Sequence, residues 1–249
     1  MASRDYLYLY PDSHGDAVRQ HEEDLWEHSF RENVCCARAI EKELNACGQD
    51  NAHVPSDRAA RVLEEYGFKR VAFVLAHTIT ELSKIPALRE MLPDNARSWA
   101  KNFRIKTDTA YGRYFHVDAA IQPLNELVQQ VREAYQALAL FERAHCSAGM
   151  YDANVEGKVL VLSADALKES AWSQENQLWL ATGGFGCDPK AGGRAIYATC
   201  LGDGEQTRWN REDFCGVLDE QYLPDWAREK LEQTQEPETA PVMSAMEME

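Results

Sequence analysis

The chain has 249 residues and a formal net charge of −15, with 41 acidic against 26 basic side chains. This length allows one sizeable hydrophobic core or two smaller ones, because domains commonly hold roughly 100–150 residues. The sequence has no apolar run of about 18 residues and therefore predicts no transmembrane helix. Its first residues also lack the pattern of a signal peptide, so we expect a cytoplasmic location.

The acidic charge is concentrated at the two ends of the chain. The first 50 residues carry 11 acidic against 5 basic side chains, and residues 201–249 carry 13 against 4. This distribution disfavours direct binding to nucleic acid, which requires clustered Lys and Arg. Solubility is the simplest explanation of the charge, and contact with a basic protein surface is the functional one. Seven cysteines without a CxxC pair indicate reduced thiols.

The first half of the chain has the residue spacing of helices. A short strand is predicted at Tyr6–Tyr10, followed by one long helix from about Asp16 to Ala46 that ends at Cys47-Gly48. Phe68–Ile79 is almost continuously apolar, and its length favours a buried helix over a strand. Further helices are predicted over 56–67, from Asp94 onward and from Pro123 to about Phe141.

From about residue 150 the pattern changes to short, β-prone runs separated by glycine-containing turns. A last helix is predicted to begin at Leu223-Pro224-Asp225, and the segment beyond Gln233 has the composition of a disordered tail. Strands are predicted at 157–163, 177–181, 195–201 and 206–209.

These elements predict an α+β fold. It consists of a mainly helical domain of residues 1–146 with a short N-terminal strand, and a small antiparallel β-rich domain of residues 150–232 with a terminal helix. A disordered acidic tail is expected over 233–249, because its composition cannot bury enough apolar area to offset the entropy of ordering. The boundary between the domains is predicted near residues 145–156, where the helical periodicity stops.

The block Thr182–Arg194 contains five glycines and lies between two of the predicted strands. It is not a Walker-type phosphate loop, because Lys190 is followed by Ala191 and a strand, not a helix, comes next. It also does not complete a dinucleotide-binding fingerprint, because Pro189 occupies the place of the third glycine. The simplest interpretation is a hairpin loop whose glycines provide positive φ angles.

Two functional hypotheses for this glycine-rich loop stay open. In the first, the loop presents Phe185, Lys190 and Arg194 to a protein partner, since loops often carry binding residues. In the second, it binds a nucleotide or another anionic ligand. The ligand-binding residues of this alternative are Gly183, Gly184, Gly186, Lys190 and Arg194.

The first predicted helix carries an acidic cluster that includes Glu22, Glu23 and Glu27. A solvated helix face is its simplest explanation, and contact with a basic partner is the functional one. Three histidines recur at intervals of seven, a spacing that places them on a similar helix face: His14, His21 and His28. With Glu22 and Glu27 nearby they raise a metal or proton-transfer role as an alternative, although a solvated polar face is the favoured interpretation.

No complete catalytic constellation is present in the sequence. Cys187 would be nucleophilic only if it were exposed beside a cation, and an inert thiol is expected. Closely paired ligands of the kind that structural zinc sites use are also missing from the sequence. We therefore predict no catalytic residue, no metal site and no cofactor, and we expect a binding protein more than an enzyme.

Several segments carry a family resemblance: Ser29–Ile40, Tyr66–Ile79 and Asn95–Ala100. They resemble a domain-of-unknown-function family carried on conjugative elements, plasmids and phages of Gram-positive gut bacteria. The glycine-rich block, with Arg208-Trp209 and Leu223–Arg228, is similar to a C-terminal segment in proteins of the same elements. Lys84–Pro93 replaces an Asp-Gly-Arg-Phe-Ser-like run of that family, so no role of that run carries over. The resemblance implies a mobile-element setting and supplies no catalytic residues.

Charge and resemblance together lead to a functional prediction. The protein would blunt a host defence system, as anti-CRISPR proteins do, by occupying a basic surface of a nucleic-acid-guided nuclease complex. Its partner would be a host protein with a basic surface, without direct contact to nucleic acid or a membrane. Two alternatives remain: a nucleotide-binding or nucleotide-modifying protein that uses the glycine-rich loop, and a regulatory factor for transfer of the element.

Overall fold

A computed structural model describes residues 14–46, 54–101, 103 and 115–235, and it divides the chain into two compact units. The first unit runs up to Leu138 and is helical, and the second begins at Ala139 and contains an antiparallel sheet followed by a helix. The α+β prediction is confirmed. The strand predicted at Tyr6–Tyr10, the helix end predicted at Cys47-Gly48 and residues 236–249 of the predicted tail lie outside the described residues.

Helices build the described part of the first unit, and none of the helices described in either unit is both long and apolar enough to cross a membrane. The predictions of helices over 56–67, over 68–79, from Asp94 and from Pro123 are confirmed. The helices are α1 (His14–Gln20), α2 (Glu23–Asn45), α3 (Ser56–Tyr66), α4 (Phe68–Leu82), α5 (Pro86–Met91), α6 (Asp94–Ala100) and α7 (Ile121–Ala137).

The prediction of one continuous helix over residues 16–46 is wrong, because the chain turns at His21 between α1 and α2. His21 has a φ of 59°, a left-handed conformation in which His is enriched among the non-glycine residues. Its N–H donates to the carbonyl oxygen of Val18 at 3.2 Å, and the Glu22 N–H donates to that of Ala17 at 2.9 Å. The break also means that the three histidines do not share one helix face.

The core of the first unit forms where α2 packs against α4. Ile40 of α2 and Leu75 and Ile79 of α4 are among its fully buried side chains. A buried cation joins the same two helices: the Arg70 guanidinium donates to the Ser29 carbonyl oxygen at 3.0 Å and to the side-chain oxygen of Asn33 at 2.6 Å. These bonds compensate the desolvation of the guanidinium group.

The second unit contains a six-stranded antiparallel sheet and a terminal helix, α9 (Asp225–Gln235), preceded by the single turn α8 (Gln174–Gln177). The spatial order of the strands is β1-β6-β2-β3-β4-β5. Helix α9 reaches into the first residues of the segment predicted as tail. The strands are β1 (Cys146–Ala148), β2 (Val159–Leu162), β3 (Leu178–Gly183), β4 (Ala195–Cys200), β5 (Gln206–Asn210) and β6 (Phe214–Leu218).

Both faces of the sheet are partly covered by apolar residues. One face buries Leu160, Trp179 and Ile196. On the other face, Val161 and Leu178 pack in one cluster with Ala227 of α9. The alternation along β2 and β3 places successive side chains in these two clusters, as expected of strands between two apolar layers.

The division between Leu138 and Ala139 lies before the boundary predicted at 145–156. Phe141 is the reason, because its side chain belongs to a cluster of the second unit and its backbone pairs with the buried amide of Gln177. The Phe141 N–H donates to Gln177 Oε1 at 2.7 Å, and Gln177 Nε2 donates to the Phe141 carbonyl oxygen at 3.0 Å. The segment before β1 is therefore attached to the sheet although it has no strand pattern.

Candidate functional site

The glycine-rich loop connects β3 to β4, and close backbone packing explains two of its glycines. Gly184 has a φ of 105°, a conformation that strongly favours glycine. At Gly186, a Cβ atom would lie 2.5 Å from the carbonyl oxygen of Arg194 and 2.6 Å from the side chain of Ile196. The loop therefore folds back against the start of β4, and Gly184 and Gly186 have a structural role.

Arg211 fills the interior of this loop with its guanidinium group. The residue is 3% exposed, and its Nε donates to the carbonyl oxygen of Gly186 at 2.7 Å. Its Nη2 donates to the carbonyl oxygens of Phe185 at 3.3 Å, Asp188 at 2.5 Å and Gly193 at 3.4 Å. Four loop carbonyls thus converge on one planar cation, whose fixed fork of donors suits such an arrangement.

Several backbone N–H groups of the loop donate to acceptors within the loop itself. The Cys187 N–H donates to the Gly184 carbonyl oxygen at 3.0 Å, and the Lys190 N–H donates to Asp188 Oδ1 at 2.9 Å. A phosphate-binding loop instead directs several N–H groups at the ligand. The carbonyls turned towards Arg211 and these internal N–H bonds give the nucleotide-binding alternative no support.

Three exposed aromatic side chains border the loop, and we call Tyr151, Phe185 and Tyr197 the aromatic rim. Phe185 is 76% exposed, Tyr151 58% and Tyr197 55%. The Tyr151 ring lies 5.0 Å from the Arg211 guanidinium carbon, which is within the range of a cation–π contact. All three rings are thus near the loop and accessible to solvent.

The rings of Phe185 and Tyr197 fit beside the loop because two of its glycines have no side chain. A Cβ on Gly193 would lie 2.6 Å from the Cβ of Phe185, and a Cβ on Gly184 would lie 3.2 Å from the ring of Tyr197. Larger residues at these positions would therefore push the rings away from the loop. The glycines that shape the loop also position the aromatic rim.

The two basic residues predicted to bind a partner, Lys190 and Arg194, differ in their surroundings. Lys190 is exposed. Arg194 is also exposed, but its guanidinium forms an ion pair with Glu212 at 2.6 Å. Across the sheet, Tyr197 on β4 pairs with Arg208 on β5, which adds a cation beside the aromatic rim. Phe185 and Lys190 are thus available for contact, whereas the charge of Arg194 is balanced.

Tyr151, Tyr197, Arg208 and Arg211 were not predicted as site residues. They lie outside the glycine-rich block in sequence, and the fold brings them to it. In the sequence, Tyr197 and Arg208 stand in strands that flank the block or follow it, and Arg208 is also part of the C-terminal resemblance.

Cys187 is buried at 1% exposure, and its Sγ lies 3.2 Å from the Gly183 carbonyl oxygen. Burial raises the pKa of the Cys187 thiol above its usual value, and Glu156 raises it further. At neutral pH the thiol therefore stays protonated and is a poor nucleophile. This environment fits the inert thiol that the sequence suggests.

The predicted acidic cluster of Glu22, Glu23 and Glu27 lies at the junction between α1 and α2. Glu22 precedes the first residue of α2, and Glu23 and Glu27 follow within its first turns. Glu23 Oε1 lies 2.8 Å from His14 Nε2, and Glu27 Oε2 accepts a bond from Arg31 at 2.9 Å. Glu23 and Glu27 are thus paired within the unit, and both lie close to His14.

Residues 9–136 match a family described as protein of unknown function (DUF3849). The chain belongs to this family. The matched residues include the three N-terminal segments on which the resemblance rests, and the glycine-rich loop lies beyond them. No curated protein and no solved structure matches the chain. The setting on mobile elements stays a prediction.

Proposed function

We propose that the chain is a cytoplasmic binding protein that recognises a protein partner through its aromatic rim. The observation that carries this proposal is the presence of three largely exposed aromatic side chains beside one loop. Scattered exposed apolar residues are normal on protein surfaces, but several around one structured loop are typical of a recognition site. Tyrosine and other aromatic residues are enriched in the parts of interfaces that contribute most to affinity.

The buried cation under the loop supports the same proposal. Arg211 bonds four loop carbonyls, and so the backbone that carries Phe185 is ordered before any partner binds. A preorganised loop loses less conformational entropy on association than a flexible one. Aromatic side chains lose little more, because each has only two rotatable χ angles.

The partner in this proposal is a host protein with a basic surface, such as a nucleic-acid-guided defence nuclease. The net charge of −15 supports this choice, because an acidic protein is attracted to basic grooves that otherwise hold nucleic acid. The carboxylates of Glu22, Glu23 and Glu27 contribute to that charge. The resemblance to proteins of mobile elements suggests the setting, in which regulation of element transfer is the alternative role.

Photo-crosslinking tests the proposed surface directly. We would place a photoreactive phenylalanine analogue at Phe185 and, in a second variant, at Tyr222, which is also an exposed aromatic (43%) but not part of the aromatic rim. We expect a discrete cross-linked host protein from position 185, absent from position 222 and lost when Tyr197→Ala is added. Identical cross-linked products from positions 185 and 222 would contradict specific recognition through the aromatic rim.

A plasmid-interference assay tests the narrower prediction about the partner. In host cells with an active nucleic-acid-guided defence, expression of the protein should raise the survival of a targeted plasmid. The Phe185→Ala/Tyr197→Ala variant should lose this effect, and Tyr222→Ala should keep it. If the protein binds a partner but does not protect the plasmid, the partner is not the defence nuclease, and only the general binding function remains proposed.

A further inference from the structure

Three potential ligand groups converge at the junction of α1 and α2: the imidazole of His14 and the carboxylates of Glu23 and Glu27. Their coordinating atoms all lie within 4.8 Å of one another, and His14 Nε2 is 2.8 Å from Glu23 Oε1. The two carboxylates are four residues apart on α2 and therefore lie on the same face of that helix. The turn at His21 brings α1 and its histidine back towards this face.

The histidine is held in a defined orientation. Its side chain is only 9% exposed, and its ring packs edge-on against Trp26 with the ring centroids 5.0 Å apart. Trp26 is itself buried on α2, between the two carboxylates in sequence. The nitrogen Nε2 thereby faces the carboxylate of Glu23 at 2.8 Å.

We propose that His14, Glu23 and Glu27 bind a divalent transition-metal ion such as Zn²⁺. One neutral imidazole and two carboxylates are suitable ligands for such ions and would compensate both positive charges. Metal–ligand bonds of about 2.0–2.2 Å place neighbouring ligand atoms roughly 3–3.5 Å apart, so small side-chain movements suffice here. Water would complete the coordination.

The exposed side of the cluster gives an ion access. The Glu23 side chain is 52% exposed, so an ion can approach from solvent without opening the core. Glu27 is paired with Arg31, whose side chain is 72% exposed. Exposed ion pairs of this kind contribute little to stability, so Arg31 can turn into solvent when Glu27 binds the ion.

The ion would attach α1 to α2 beside a small apolar cluster. Within the part of the chain that the structure describes, this cluster buries Ala17 and Trp26, with Leu25 and Phe30 packed beside them. Helix α1 has seven residues, too short to be stable without tertiary contacts. Because a ligand that binds only the folded arrangement stabilises it, metal binding should lower the frequency with which α1 opens.

The experiment uses the full chain and two metal ions. Zn²⁺ binding is measured by isothermal titration calorimetry, and Co²⁺ is used because its visible absorption reports on the ligands. We compare the wild type with His14→Ala and with Glu23→Gln/Glu27→Gln. The matched controls are His21→Asn, which removes a neighbouring imidazole but tolerates positive φ, and Asp24→Asn, which removes a neighbouring carboxylate.

We expect one Zn²⁺ ion per wild-type chain and the same affinity within about twofold in both controls. His14→Ala and Glu23→Gln/Glu27→Gln should each weaken binding at least tenfold, a loss typical of altered metal sites. Zn²⁺ should also slow amide hydrogen exchange in α1 in the wild type and in the controls, but not in the two ligand variants. Helical circular dichroism verifies that all variants are folded.

Three outcomes would overturn the proposal. The first is a wild-type chain that binds neither ion. The second is binding that His14→Ala leaves unchanged, with a Co²⁺ spectrum showing thiolate ligation, because this would assign the ion to cysteine residues. The third is slower amide exchange in α1 of the His14→Ala variant on addition of Zn²⁺.

Discussion

Arg211 stabilises the conformation of the glycine-rich loop although it lies outside the loop in sequence. Its guanidinium is buried and donates to four carbonyl oxygens that come from both ends of the loop. The sequence gives little indication of this role, because an arginine after a short strand is usually solvated. A buried cation is instead stable here because each of its bonds compensates part of the lost hydration.

Replacing Arg211 by Ala should destabilise the second unit by roughly 3 kcal/mol or more, because several buried carbonyls lose their donor at once. Arg194→Ala is the matched control: it removes an exposed ion pair and should change stability by less than about 1 kcal/mol. Urea unfolding followed by tryptophan fluorescence measures both. Equal effects of the two substitutions would show that the network under the loop is unimportant for stability.

His77 should make the first unit sensitive to acid. The residue is 4% exposed and stacks on Phe115 at 4.3 Å between ring centroids. Burial lowers the pKa of His77 from 6.5 to about 4, against a smaller opposing effect of Glu81. The unfolded chain therefore takes up a proton near pH 6.5 while the folded chain resists until about pH 4. The effect of His77 on the free energy of unfolding is therefore absent above pH 6.5. As the pH is lowered from 6.5 to 4, this free energy falls by roughly 3 kcal/mol.

The variant His77→Phe isolates this contribution, because it keeps an aromatic ring beside Phe115 and removes the titrating group. Unfolding free energies measured from pH 7 to pH 4 should decrease less steeply in the variant than in the wild type. The difference between the two curves is the informative quantity, since carboxylates elsewhere titrate in both proteins. Parallel curves would mean that folding does not lower the pKa of His77.

At the level of elements, the glycine-rich loop depends on some of its glycines and not on others. Gly186→Ala should destabilise the second unit, because the new Cβ would meet the backbone of Arg194 at 2.5 Å. Gly192→Ala places its Cβ where no atom lies within 4 Å and should be neutral or slightly stabilising. Thermal unfolding of the two variants tests this. A destabilised Gly192→Ala beside an unaffected Gly186→Ala would contradict the loop geometry.

The longer helices α2, α3, α4 and α7 were predictable from the sequence because their buried apolar residues recur at helical spacing. The strands β1 and β6 were not predicted. Strand β1 has only three residues, and β6 contains Gly216, where a Cβ would lie 2.4 Å from the Ala148 carbonyl oxygen. A glycine inside a strand weakens the strand pattern, although here it permits the close approach of β1. The break at His21 was missed because α1 and α2 continue nearly the same periodicity.

The candidate site was partly predictable for a related reason. The glycine-rich block identified Phe185 and Lys190, which the loop itself presents. Tyr151 and Arg211 come from other parts of the chain and approach the loop only through tertiary structure. Local sequence patterns contain no information about such contacts. In the same way, spacing suggested a shared face for three histidines, whereas the fold joins only His14 with Glu23 and Glu27.

For the whole molecule, the two units should be separable. Each has hydrophobic clusters of its own, and the second unit includes the segment from Ala139 that pairs with Gln177. A fragment of residues 139–235 should therefore fold alone, with dispersed amide NMR signals and cooperative unfolding. A fragment beginning at residue 146 should be less stable, because it lacks Phe141. If the fragment of residues 139–235 does not fold, the stability of the second unit depends on the first.

The affinity for the cross-linked partner tests the central claim most directly. Isothermal titration of that purified partner would compare the wild type, Phe185→Ala/Tyr197→Ala and the control Tyr222→Ala. If the aromatic rim is the binding surface, the double variant should bind roughly 30-fold more weakly or worse, as expected for the loss of about 2 kcal/mol at an interface hot spot. The control should bind like the wild type. Equal affinities of all three proteins would contradict recognition through the aromatic rim.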